Sequence, residues 1–163
     1  MNISFIGGGN MATAIIGGLI ADGMPAASIE VVDVSSETCA RLTRQFGVHA
    51  HTALDAAQLH RLIVLAVKPQ QLLDAAKQLG PRLREQLVIS IAAGVRTADL
   101  SRWLGGHARI VRTMPNTPAM VGAGITGMYA GAEVGADLRS QAESVLRAVG
   151  AVVWVKDESE LDW

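Results

Sequence analysis

The run Asn2-Ile3-Ser4-Phe5-Ile6-Gly7-Gly8-Gly9-Asn10-Met11-Ala12 sets a glycine-rich turn between a short apolar segment and a helix-forming one. The chemistry this suits is the holding of a pyrophosphate. Gly7 lets the chain leave a strand sharply, Gly9 removes a side chain where backbone would approach the phosphates, and small Ala12 lets the following helix lie close to the sheet. The free N–H groups that open that helix then face an anion, so Ile6 to Met11 form the candidate cradle. A G-x-G-x-x-A spacing is weakly specific by itself in a chain with 17 glycines. It gains weight from its setting. It follows a strand-like run, precedes the helical stretch Thr13 to Ile20, and is succeeded by a second strand ending in an acidic residue, Ile29-Glu30-Val31-Val32-Asp33.

Ligands of doubly wound sheets lie beyond the carboxyl ends of the strands, which directs attention to four further loops. In Asp33-Val34-Ser35-Ser36, the Asp33 carboxylate can accept hydrogen bonds from ribose hydroxyls and would repel a 2′-phosphate, which argues for NAD. Ser35 and Ser36, with nearby Arg41 and Arg44, can instead hold that phosphate, and either serine can equally be the cap of the next helix. In Ala66-Val67-Lys68-Pro69-Gln70, Pro69 suits the first turn of a helix and the backbone before it can run beside ribose and nicotinamide; Lys68 reads equally as a solvated loop lysine. Ser90-Ile91-Ala92-Ala93-Gly94-Val95 offers small residues that admit a planar ring or simply tight strand–helix packing. Arg112 to Met120 contains two prolines and presents Asn116 and Thr117 from a stiff loop, as a pocket wall would.

Other chemistries find little support. None of His49, His51, His60 or His107 is expected to share a cluster with a carboxylate or nucleophile; each reads as a surface or helix-end residue, and no histidine is assigned a catalytic role. No spacing of His, Asp and Cys argues for a metal. Cys39 is the single cysteine and sits in an expected helix as a packed or partly exposed thiol. The 14 basic and 15 acidic residues give a formal net charge of −1, without the basic field that nucleic acid or an anionic membrane would require. No apolar stretch reaches bilayer-crossing length and no basic leader precedes the first strand, so a soluble, cytoplasmic protein is expected.

The elements that must position these loops follow from the alternation of apolar runs with helix-period segments. Strands are expected at Asn2 to Ile6, Ile29 to Asp33, Val48-His49, Leu62 to Val67, Leu87 to Ile91, Arg109 to Arg112, Ile125 to Tyr129 and Val152 to Val155. The nearly continuous apolar character of the fourth and fifth places them in the middle of the sheet. Helices are expected at Met11 to Ala21, Ser36 to Phe46, Gln70 to Leu79 with a stop at Gly80-Pro81, from Thr97 with its hydroxyl as cap, and at Ala136 to Val149. The fold class is α/β: a Rossmann-like, doubly wound, mostly parallel sheet of about eight strands between two helical layers, formed as one domain over residues 1–163.

Taken together, FIGGGNMATAIIGGL, AVKPQ, SIAAGV and MPNTPAMVGAG resemble pyrroline-5-carboxylate reductase in order, spacing and position after successive strands. The resemblance covers essentially the whole chain. It implies reduction of the C=N bond of 1-pyrroline-5-carboxylate to L-proline, the last step of proline synthesis, with hydride from NADPH or alternatively NADH. It implies that Ile6, Gly7, Gly8, Gly9, Asn10 and Met11 bind the pyrophosphate, that Ser35, beside the candidates Asp33 and Ser36 already read from the residues, meets the adenosine ribose or its phosphate, and that Ala66, Val67, Lys68 and Pro69 with Ala92, Ala93 and Gly94 flank the nicotinamide half. Asn116 and Thr117 would border the substrate. A protonated cyclic imine is already electrophilic, so positioning of the hydride matters more than a strong base. The family also carries a C-terminal helical dimerisation domain with a Ser-Gly-Ser-Gly-Pro-Ala-Tyr stretch that grips substrate, and these 163 residues do not include it. The expectation is therefore the cofactor-binding portion, with catalytic residues and dimer contacts elsewhere, and with Trp154, Leu161 and Trp163 left exposed. His51 to Gln58 lacks the asparagine the family often offers to adenosine. The alternatives are a non-catalytic dinucleotide-binding module, and a prephenate or F420-linked reductase, against which MPNTPA speaks.

Overall fold

The computed structural model describes residues 1–162, with Thr117 described in its backbone alone. Its strands are β1 (Ile3–Ile6), β2 (Ile29–Val32), β3 (His49–His51), β4 (Leu62–Leu65), β5 (Leu87–Ser90), β6 (Ile110–Met114), β7 (Gly124–Ala130) and β8 (Gly150–Trp154). The helices are α1 (Asn10–Ala21), α2 (Ser36–Phe46), α3 (Pro69–Leu79), α4 (Thr97–Trp103) and α5 (Ala136–Leu146). Among the described residues the strands form one sheet in the order β3-β2-β1-β4-β5-β6-β7-β8. All neighbours are parallel except β6 and β7, which meet antiparallel. The expected α/β class and central placement of β4 and β5 are borne out.

The sheet is covered on both faces, and β1, β2, β4 and β5 are buried at every position, β4 with apolar residues throughout. Ile3, Phe5, Ile29, Val31, Leu62, Val64 and Ile89 pack with Ile15, Ile16 and Leu19 of α1, Leu42 of α2 and Val145 and Leu146 of α5. The alternate residues Ile6, Val32, Ile63, Leu65 and Val88 face Leu72, Ala76 and Leu79 of α3 and Leu100 of α4. That alternation is the period-two geometry of a strand, with each residue's side chain on the face opposite its neighbours'.

Several boundaries differ from expectation for local reasons. Helix α3 ends at Leu79 as expected, but its C-cap Gly80 stays right-handed against the Leu104 backbone and the chain runs on as the 3-10 helix Gly80–Arg82. The last turn of α5 likewise tightens to a 3-10 helix, Arg147–Val149. Arg96, not Thr97, occupies the cap position of α4, since the Thr97 hydroxyl is drawn away to Glu158 at 2.6 Å. Leu161 is buried against Gly127 rather than exposed, and the Trp154 indole donates to Glu143 Oε1 at 2.7 Å beneath the Arg139 guanidinium. Trp163 lies outside the described residues.

The reading of the histidines is corrected. His49 and His51 both hold a carboxylate: His49 Nδ1 lies 3.0 Å from Glu30 Oε2, and His51 Nε2 lies 2.9 Å from Glu30 Oε1. Residues two apart on β3 point to the same face, and the parallel register sets His49 beside Glu30, so one carboxylate reaches both rings. The Gln58 amide also donates to Glu30 at 3.2 Å, and Ser4, in register with Glu30, accepts from His60 N–H at 2.9 Å. Burial pushes the Glu30 carboxyl up, but the hydrogen bonds from Gln58, His51 and His49 outweigh it and hold the group below its ordinary value. A carboxyl lowered in the folded state contributes stability that is complete above the ordinary carboxylate range and is lost as pH falls through its folded value. Glu30→Gln is expected to cost about 1–3 kcal/mol at neutral pH. Chemical denaturation repeated from pH 7 to pH 3 should show wild type losing more stability on acidification than the variant; parallel losses would contradict this role for Glu30.

Candidate functional site

The strand order reverses between β1 and β4, and the Gly7–Gly9 loop leaves the carboxyl end of β1 at that point. The loop owes its shape to three anchors. Gly7 has φ of 104°, and its N–H donates to Val32 O at 2.7 Å. A Cβ there would lie 2.6 Å from Ala66 O, so the loop passes tightly over the end of β4. Gly8 donates to Asp33 Oδ2 at 2.9 Å and packs on Leu42 and Thr38 of α2. A Cβ on Gly9, by contrast, would meet nothing within 4 Å. Protein packing thus demands glycine at positions 7 and 8 but leaves Gly9 facing open space, as a cradle for a ligand's phosphates would.

Helix α1 begins at Asn10 with Gly9 as its N-cap, no side chain capping it and no acidic residue in its first turn. Asn10 is exposed and Met11 half-buried at this end. Uncapped amides carry the positive end of the helix dipole, and an anion placed there satisfies both. The residues present therefore fit a pyrophosphate.

The adenosine side is more constrained than sequence suggested. Asp33 accepts from Gly8 N–H through Oδ2 and from Ser35 N–H, at 2.9 Å, through Oδ1, so its carboxylate locks the glycine loop to the end of β2. Ser35 Oγ caps α2, accepting from Thr38 N–H at 3.2 Å, which is the cap alternative already open in the sequence. Ser36 is exposed as the first residue of α2. Arg41 donates to Gly8 O at 3.2 Å, leaving Arg44 one turn further on. Next to Asp33 opens a cavity of about 750 Å³ whose walls include Ile6, Val34, Thr52, Asp55, Val67 and Gln70. Thr52 and Asp55 were missed in the sequence because the turn after β3 carries no motif.

The remaining loops sit at the same edge. Ala66 N–H bonds Ile6 O at 2.7 Å, and Ala66 and Val67 are half-buried while Lys68 and Pro69 are exposed, with Pro69 opening α3. Ala92 is buried beneath exposed Ala93 and Gly94, the latter with φ of 76°. Asn116 is exposed, and its Oδ1 accepts from Ile125 N–H at 3.1 Å, tying the loop after β6 to the start of β7. The Thr117 side chain lies outside the described residues. Cys39 is buried, its thiol pushed up by burial while it donates to Asp33 O at 3.3 Å, which makes it a packing residue behind the site. Among the described residues no group of three or more His, Cys, Asp and Glu could hold a metal, and no helix is long and apolar enough to cross a membrane.

A glycine loop feeding an uncapped helix at the switch point of a doubly wound sheet defines a Rossmann-type dinucleotide-binding domain. The chain belongs to the family described as NADP oxidoreductase, coenzyme F420-dependent, whose model matches residues 2–94. Over nearly its whole length it is similar to pyrroline-5-carboxylate reductases. It is 43% identical to that of Pseudomonas aeruginosa over 98% of this chain and 59% of the relative, and 40% identical to that of Haemophilus influenzae over the same shares. The solved pyrroline-5-carboxylate reductase of Coxiella burnetii superposes with a TM-score of 0.94 at 44% identity, covering 98% of this chain and 60% of that one. The chain thus spans about 60% of the length of these relatives. The four-motif resemblance is borne out by relatives that match beyond the part covered by the family model.

Proposed function

We propose that the chain binds NADP(H) as the cofactor-holding part of a pyrroline-5-carboxylate reductase, which transfers hydride to the C=N carbon of 1-pyrroline-5-carboxylate and yields L-proline. The observation that carries this reading is the open, uncapped N-terminus of α1 behind a glycine loop with vacant space at Gly9. In this reading Ile6 to Met11 hold the pyrophosphate, and Asp33, Ser35 and Ser36 stand beside the adenosine ribose or its phosphate. The nicotinamide lies between Ala66–Pro69 and Ala92–Gly94, with the imine toward Asn116 and Thr117. Bound cofactor supplies the hydride. The chain's own residues hold it, and residue 92's methyl stays buried while 93 and 94 leave room for a flat ring. This reading carries with it a cytoplasmic setting, and a homo-oligomer only for the longer family members.

Preference for the phosphorylated cofactor rests on Asp33. Its carboxylate is engaged by Gly8 and Ser35, which leaves less of it to receive ribose hydroxyls, while Ser36 is exposed at the start of the neighbouring helix α2 and Arg44 is exposed in its last turn. Parallel titration with NADPH and NADH, followed by fluorescence and melting temperature, should give tighter binding and the larger thermal shift with NADPH. Equal or stronger NADH binding would reverse the preference. The second reading is a dinucleotide-binding module without catalysis, favoured by the engagement of the Asp33, Ser35 and Asn116 side chains in hydrogen bonds from backbone N–H groups. Loss of NADPH absorbance on adding pyrroline-5-carboxylate, at a rate proportional to this protein, would eliminate it.

A further inference from the structure

Resting on the proposed placement of nicotinamide, we infer that Arg112 and Glu158 form a positioning device for the nicotinamide side of the cofactor site. Arg112, on β6, is 1% exposed. Its Nη1 donates to Glu158 Oε2 at 3.1 Å and to Asp162 Oδ1 at 2.8 Å, and its Nη2 donates to Leu161 O at 3.1 Å. Glu158 in turn accepts from the Thr97 N–H at 2.7 Å and from the Thr97 hydroxyl at 2.6 Å, while Arg96 pairs with Asp162. The short helix Glu158–Leu161 is itself closed by a capping box between Asp157 and Glu160 and seated by Leu161 on Gly127. The two terminal nitrogens of Arg112 thus meet three acceptors while its buried Nε meets none, and removal of Glu158 or Arg112 would leave the other charged and buried.

The consequence lies at Thr97 and Arg96. These residues stand just beyond Ala93 and Gly94, whose exposed loop leaves β5 with the Ala92 N–H bonded to Ser90 Oγ at 3.3 Å. The near end of the loop is thus fixed by β5, and Glu158 fixes its far end to β6 through Arg112. None of these groups approaches Asp33 or the cavity beside it, whose walls are formed by β1, β2, α3 and the turn after β3. The device therefore acts on one half of a dinucleotide and not on the other.

The test compares NADPH with 2′,5′-ADP, which carries the adenosine half and lacks nicotinamide, on wild type, Glu158→Gln and Thr97→Val. Thr97→Val removes one hydroxyl bond and keeps the Arg112–Glu158 pair, so it remains informative if Glu158→Gln does not fold. Both folded variants should bind NADPH about fivefold to tenfold more weakly and 2′,5′-ADP within about twofold of wild type. Amide hydrogen exchange at residues 92–97 should quicken in the same variants. Equal losses for the two ligands, or unchanged NADPH binding in Thr97→Val, would overturn the inference. Wild type that binds neither ligand would instead overturn the reading of the cofactor site on which the inference stands.

Discussion

Replacing Gly7 with alanine is expected to weaken NADPH binding by more than about tenfold and to lower stability by about 3 kcal/mol, or about 6–12 °C in melting temperature. Two independent terms contribute. The backbone at φ of 104° is strained for any L side chain, and the added methyl would lie 2.6 Å from Ala66 O and 2.7 Å from Ala66 C. Those atoms are main chain at the end of β4, so relief requires the loop itself to move. The N–H of Gly7 then leaves Val32 O and that of Gly8 leaves Asp33, which carries the mouth of the cradle away from α1. Gly9→Ala is the informative contrast. Its φ of −74° suits alanine and its Cβ enters open space, so the melting temperature should hardly change while NADPH binding still falls. Calorimetric melts and fluorescence titration of the two variants separate fold from ligand. Wild-type affinity in Gly9→Ala would remove pyrophosphate from this loop.

The adjacent glycines Gly17 and Gly18 should respond to alanine with opposite signs. Either change gains about 1 kcal/mol of helix propensity within α1. At Gly17 the new methyl would lie 3.5 Å from the Phe46 ring, an ordinary contact, so Gly17→Ala is expected to raise the melting temperature by about 1–4 °C. At Gly18 it would fall onto the carbonyl oxygen of Ala148, where α1 crosses the turn after α5. Backbone cannot rotate away as a side chain can, so Gly18→Ala is expected to destabilise by about 1–3 kcal/mol net despite the propensity gain. Thermal melts of both variants check the pair. A stabilised Gly18→Ala would mean that α1 and the Arg147–Val149 turn do not approach as closely as this fold requires.

How much was legible in advance depended on the range of the interaction. The glycine turn, the uncapped start of α1, the Pro69 start of α3 and the two nearly continuous apolar strands β4 and β5 are written in adjacent residues, because local backbone geometry and side-chain periodicity act over a few positions. The alternative roles of Ser35 could not be separated that way. Capping and ribose binding use the same hydroxyl, and only the position of the Thr38 N–H showed that it is engaged within α2.

The amino-acid sequence by itself determined that this is a doubly wound α/β chain with a dinucleotide turn at its start, and its motifs in series determined the family resemblance. Tertiary structure alone decided which distant groups meet. Parallel pairing of β2 with β3 brought His49 and His51 to Glu30, and burial of Arg112 drew Glu158 and Asp162 across from the far end of the chain. Asp33 spends its carboxylate on the backbone of Gly8 and Ser35 because β1 and β2 lie side by side with their ends level. Charged and polar groups removed from water must find partners wherever the fold places them, and no local pattern in sequence records a partner tens of residues away.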